Sequence, residues 1–144
     1  MDLFAGMDIS ASGLSAQRLR MNLIASNLAN VNSTRTEQGG PYRRRMPVFG
    51  AAGPTDPRNG FGNAMDRELR RVQVSGILED SRPGRTVYEP SHPDANPAGY
   101  VTYPNVNLIE EMADLITASR SYEANATVIS TFKSMALKAL EIGR

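Results

Sequence analysis

The sequence contains no cysteine, no tryptophan and a single histidine, and its aromatic residues are few. Without cysteine it can form no disulfide, no thiolate metal site and no cysteine nucleophile. The lone histidine, His92, lies in YEPSHPDANPAGY with Asp94 as its one neighbouring acid. A metal site or an acid–base pair needs more convergent groups than that, so a turn stiffened by Pro90, Pro93 and Pro97 is the better reading. No GxSxG, glycine-rich phosphate loop or HExxH pattern occurs, and no enzyme activity, cofactor or metal is expected. Glu110 and Glu111 are adjacent on a helix, point in different directions and are taken as charges at a helix start.

Charge of either sign is not in excess. A net charge of +1 gives no electrostatic case for nucleic acid or an anionic membrane. No apolar run reaches the ~18 residues of a membrane span. The start, MDLFAGMDISASG, lacks the basic region and apolar run of a secretory signal.

Proline is missing from both ends. All nine prolines lie between Pro41 and Pro104, leaving both flanks free for long helices. In the first flank Met7, Leu14, Met21 and Leu28 recur every seven residues, with Ser10, Gln17, Ile24 and Val31 three positions further on. This half-polar seam predicts a coiled-coil-like helix from about Asp8 to Asn32, weakened at its start by Gly6 and Gly13. In the last flank Leu108, Met112, Leu115, Ser119, Tyr122, Ala126, Ile129, Lys133, Ala136 and Leu140 alternate steps of four and three. Ile109, Ile116, Phe132 and Leu137 widen that stripe, so one long amphipathic helix is predicted from Asn107 to Ile142, capped by Asn107 or Asn105.

The middle is rich in glycine and proline. Short strands are expected at Tyr42 to Phe49, Leu69 to Glu79 and Arg85 to Glu89, the last two joined as a hairpin or small sheet through a type II turn at Pro83-Gly84. The fold class is thus mainly α with a small β segment. Its three zones are residues 1–36 (N-terminal helix), 37–104 (Gly/Pro-rich middle) and 105–144 (C-terminal helix).

Two helices with one seam each cannot make a sufficient core. Each buried large apolar side chain is worth roughly 1.5–3 kcal/mol, whereas ordering each residue costs about 1–2 kcal/mol. The helix faces are therefore expected to be completed by other chains. Asn22, Asn27, Asn30 and Asn32 crowd the end of the first helix, where amides can satisfy polar groups across a close contact beside the small residues Ala25, Ser26 and Ala29. Asn32 also fits a frayed helix end.

The segment from Asn27 to Thr34, NLANVNST, resembles the amino-terminal signature of bacterial flagellar axial proteins, which form rod, hook and hook–filament junction. GGPYRRRMPVF, VYEPSHPDANPAGYVTYPNVNLIEEM and ASRSYEANATVISTFKSMALKALEIGR are similar to the proximal-rod family of the FlgC type. The likeness runs from about Met7 to Arg144, weakest over Gly50 to Asn63. It implies a structural rod subunit whose terminal helices pack around an export channel in a torque-transmitting helical tube, with the middle segment outside. It also implies passage through the flagellar type III export apparatus without a cleaved signal, and location in the basal body across the periplasm. The implied partners are rod proteins of the FlgB, FlgF and FlgG types, an adaptor of the FliE type and further copies of the chain.

Seam positions and the resemblance together give the candidate assembly residues: Leu14, Met21, Ile24, Asn27, Leu28, Asn30, Val31, Asn32 and Thr34 in the first zone. In the last they are Met112, Leu115, Tyr122, Asn125, Ile129, Phe132, Lys133 and Leu140. Glu111 and Arg120 also match the family helix, as packing or interface positions. Two other readings stand beside this one: a soluble coiled-coil adaptor with one partner, and a small nucleic-acid binder using Arg43 to Arg45.

Overall fold

A computed structural model describes residues 3–52 and 70–142. Helix α1 (Leu3–Ala29) has 27 residues, about 40 Å at 1.5 Å per residue. It begins before Asp8 and stops short of Asn32. The stop has a local cause: Asn30 donates its amide to the Ser26 carbonyl at 2.9 Å and accepts the Ser33 hydroxyl at 3.0 Å. Its side chain thereby shares the Ser26 carbonyl with its own backbone N–H, which donates there at 3.1 Å, and competes for the last helical bond.

Four strands follow: β1 (Arg45–Ala52), β2 (Arg71–Glu79), β3 (Thr86–Tyr88) and β4 (Tyr100–Thr102). Helix α2 (Leu108–Ile142) closes the chain with 35 residues. Of the two candidate caps, Asn107 is the one used, its Oδ1 accepting the Ile109 N–H at 3.1 Å. Asn105 instead accepts the Arg44 N–H and donates to the carbonyls of Asp80 and Arg82.

The predicted strands form near their expected positions; Leu69, the expected start of the second, lies outside the described residues. Their pairing differs. β2 does not pair with β3 but lies antiparallel to β1, with Arg45 opposite Glu79 and Ala52 opposite Arg71. β3 pairs antiparallel with β4, Val87 opposite Val101. The Pro83-Gly84 type II turn is also absent, since Gly84 lacks the positive φ it requires. Two interactions override that local signal. Asp80 accepts the backbone and side-chain donors of Arg82 at 2.6–2.9 Å, and its N–H is held by the Arg44 carbonyl at 2.8 Å. The chain leaves β2 along the end of β1, and Asn105 clasps the carbonyls beyond.

Gly76 marks a β-bulge, as a glycine within a strand pattern can: the register shifts between Val48 and Phe49. The β1–β2 ribbon lies along α1. At one end Asn27 accepts the Arg45 N–H; at the other Arg71 contacts Asp8 at 2.8 Å and Val72 N–H donates to Ser12 at 3.1 Å.

The helices are antiparallel, because Gly6 meets Phe132, Gly13 meets Asn125 and Asn27 meets Glu111. A Cβ on Gly6 would fall 2.7 Å from the Phe132 ring, and one on Gly13 would fall 3.1 Å from the Asn125 amide. The glycines expected to weaken the helix start are what lets α2 approach it. Buried apolar side chains among the described residues are Ala16, Ile24, Tyr42, Val101 and Ala118, joined by the polar Ser10, Asn27, Asp80 and Glu111. The seam is thin, small and partly polar.

Candidate functional site

Where α1, β1 and α2 meet, the chain builds a polar clamp. The Asn27 amide uses its full capacity: Nδ2 donates to the Arg45 carbonyl at 2.9 Å and to Glu111 Oε2 at 3.0 Å. Oδ1 accepts from the Tyr42 hydroxyl and the Arg45 N–H, each at 2.9 Å. Glu111 is fully buried, and its second oxygen accepts from Arg44 Nε. Arg44 continues to Asp114 at 3.1 Å, and Asp114 receives Arg20 from α1 at 3.0 Å. Two guanidinium groups thus face two carboxylates, which satisfies the requirement that buried charge be paired.

Glu111 stands in the first turn of α2 as expected, but its carboxylate turns inward as a packing position rather than staying a solvated charge. Glu110 remains exposed, while Glu111, one residue on, turns inward. The arginine run is divided in the same way: Arg43 is exposed, Arg44 enters the clamp and Arg45 pairs with Glu79 at 2.9 Å. A basic stripe facing successive phosphates is not what the run forms. Tyr42, Arg44, Arg20 and Asp114 were invisible as a group in the sequence, since the contacts between Arg44 and the acids of α2 join residues 67 and 70 positions apart.

The remaining candidates separate into inner and outer sets. Ile24, Asn125 and Phe132 lie in the seam, and Leu115 and Ile129 are half-buried. Thr34 donates to Asp94 at 2.8 Å, fastening the β3–β4 connection to the segment after α1. His92 sits in that connection and accepts the Asp94 N–H through Nδ1. Leu14, Met21, Leu28 and Val31 are half-buried like Leu115 and Ile129, and Asn32 is exposed. On α2, Met112, Tyr122, Lys133 and Leu140 are exposed.

The outer set is more apolar than the seam. Leu108, Ile109, Met112, Ile116, Val128, Met135, Leu137 and Leu140 all stand on the surface of α2, Ile109 at 78% exposure and Leu140 at 73%. A solitary exposed leucine needs no explanation, but a helix that leaves this many large apolar residues outside, and buries fully only Ala118 and Glu111, does. No helix among the described residues is long and apolar enough to cross a membrane.

Two long antiparallel helices beside small antiparallel strand pairs, with large apolar side chains exposed on α2, place the chain in a mainly α class. Comparison with known proteins makes the class specific. Residues 7–35 match the family model "Flagella basal body rod protein", and residues 98–142 match "Flagellar basal body rod FlgEFG protein C-terminal". The chain is 44% identical to the flagellar basal-body rod protein FlgC of Borreliella burgdorferi, covering 99% of this chain and 98% of that protein. It is 44% identical to that of Bacillus subtilis and 41% identical to that of Salmonella typhimurium, each over 100% of both chains. The chain belongs to the FlgC family of flagellar basal-body rod proteins.

Proposed function

We propose that this chain is a structural subunit of the flagellar basal-body rod, self- and co-assembling through its terminal helices into a helical tube around the export channel. The observation that carries this reading is the set of large apolar side chains left uncovered on α2 beside a seam that buries few large apolar residues. Heterologous contacts, in which different patches of one chain meet, generate open helical assemblies. Long helices supply many such contacts in parallel, which a torque-transmitting tube requires.

In this reading residues 1–36 and 105–144 form the assembly core and residues 37–104 the outer segment. Contacts to neighbours fall on Leu14, Met21, Leu28, Val31, Asn32, Met112, Tyr122, Lys133 and Leu140. Ile24, Asn27, Asn30, Thr34, Leu115, Asn125, Ile129 and Phe132 shape the surface from within. The neighbours are rod proteins of the FlgB, FlgF and FlgG types and a FliE-type adaptor, reached through the flagellar type III export apparatus. Deleting the gene and imaging purified basal bodies tests this. Rings without rod, hook or filament, restored by the wild-type gene, are expected; complete rods and normal swimming would reject it.

A further inference from the structure

We infer that the Asn27–Glu111–Arg44 clamp is the register lock of the α1–α2 pair, selecting one seven-residue alignment among several that the seam itself tolerates. The degeneracy is visible in the spacing. Gly6, Gly13 and Asn27 of α1 meet Phe132, Asn125 and Glu111 of α2, intervals of seven and fourteen residues on both helices. A slip of one heptad therefore returns the same faces to each other.

In one slipped alignment Gly13 faces Phe132. Gly13 lacks a Cβ just as Gly6 does, so it receives the ring without steric penalty. Small residues elsewhere in the seam, Ser10, Ala16 and Ala118, interdigitate little and resist sliding little, which leaves Ile24 as the one large apolar residue of α1 buried there. Gln17 Oε1, buried without a hydrogen-bond partner, ties no polar contact to the native alignment.

The clamp has no equivalent one heptad away. Slipping α1 by seven residues places Asn27 opposite Ala118 instead of Glu111, and Ala118 offers an amide no polar side chain. The hydrogen bond from Asn27 to Glu111 and the charge-assisted bond from Arg44 to Glu111 cross to α2 and are tied to one alignment, while the three bonds of Asn27 to Tyr42 and Arg45 hold Asn27 and Arg44 together on the α1–β1 side. Glu111 is fully buried, so separating it from Arg44 leaves a charge without solvent or partner. A single buried polar contact in an otherwise permissive helical seam is a recognised means of fixing register.

The absence of cysteine makes engineered disulfides an unambiguous readout in the purified full-length chain. Gly13→Cys/Asn125→Cys reports the native alignment. Gly13→Cys/Phe132→Cys reports the slipped one, whose positions are offset by about 10 Å in the native register, beyond the roughly 4–7 Å Cα separation a disulfide spans. With the clamp intact, only the native pair should crosslink. In the background Asn27→Leu/Arg44→Met/Glu111→Leu, helical circular dichroism should persist while the slipped crosslink rises roughly tenfold or more.

Persistence of the native crosslink alone in that background, with unchanged helicity, would overturn the proposal and assign register to steric packing. Should the leucine background lose its helical signal, Asn27→Ala/Glu111→Gln is read in the same assay. A rise in the slipped crosslink there supports the lock, and its absence in a helical protein overturns it.

Discussion

Asn27 donates a hydrogen bond to Glu111 across 84 residues of sequence at 3.0 Å, and both side chains are buried. Glu111→Ala would leave Arg44 facing a void where its carboxylate stood, a loss of about 3–5 kcal/mol for a broken buried pair. Glu111→Gln retains one acceptor oxygen and should lose about half as much. Urea denaturation of the two variants beside the wild type checks the ratio; equal losses would mean that the charge carries the whole effect, and no loss in Glu111→Gln would mean that the ionic contact contributes nothing beyond volume and hydrogen bonding.

Leu28 is half-buried and Met112 is exposed in the single chain. Aspartate at either position should change the stability of the isolated chain by only about 0.5 kcal/mol. In the cell each should block rod completion, because a neighbour would bury the charge without a partner. Ile129, half-buried like Leu28 but on the α2 side that carries Glu111 and Ala118, should affect both stability and assembly. Soft-agar swimming and thermal melts of the purified variants separate the two effects, and normal swimming in all three mutants would refute the packing model.

Gly6 and Phe132 form a glycine–ring contact in which an added Cβ would lie 2.7 Å from the ring. Gly6→Val should push α2 away and destabilise the chain despite valine's better helix propensity. Phe132→Leu should relieve part of that cost. A double-mutant cycle on melting free energies should give a favourable coupling of roughly 0.5–3 kcal/mol; additivity would show that the two positions do not touch.

Asp80 is held below the ordinary aspartate range, first by the side-chain hydrogen bond from Arg82 and then by the Arg82 backbone N–H. A depressed folded value means that this carboxylate stabilises the fold fully above its unfolded pKa of about 3.9, and that the contribution disappears as pH falls through the lower folded value. The stability difference between wild type and Asp80→Asn should therefore be constant from neutral pH down to about 5 and shrink below about 4. Denaturation midpoints measured across that range provide the check.

Both long helices were legible because proline is confined to the middle and apolar residues recur at helical spacing over both flanks. The strands near β1, β2 and β3 were legible from local composition and alternation. Their partners were not, because the Asp80–Arg82 turn and the Asn105 clasp redirect a chain that Pro83-Gly84 alone would have folded back. The seam was displaced by one position: Met7, Leu14, Met21 and Leu28 were expected to pack inward, yet the innermost line follows Gly6, Gly13 and Asn27. Apolar periodicity identifies a face that must be covered and leaves open which chain covers it.

By itself, the sequence determined two long helices, a short β segment between them and a surplus of apolar surface, because helical periodicity and proline placement are local properties. Its likeness to flagellar axial proteins was equally legible in contiguous motifs. Only the tertiary structure decided that Glu111 turns inward, that Arg44 leaves its arginine run to meet it and that glycines occupy the helix contact. Those choices depend on burial, and a carboxylate is placed inside a protein only where distant residues supply its hydrogen bonds and countercharge.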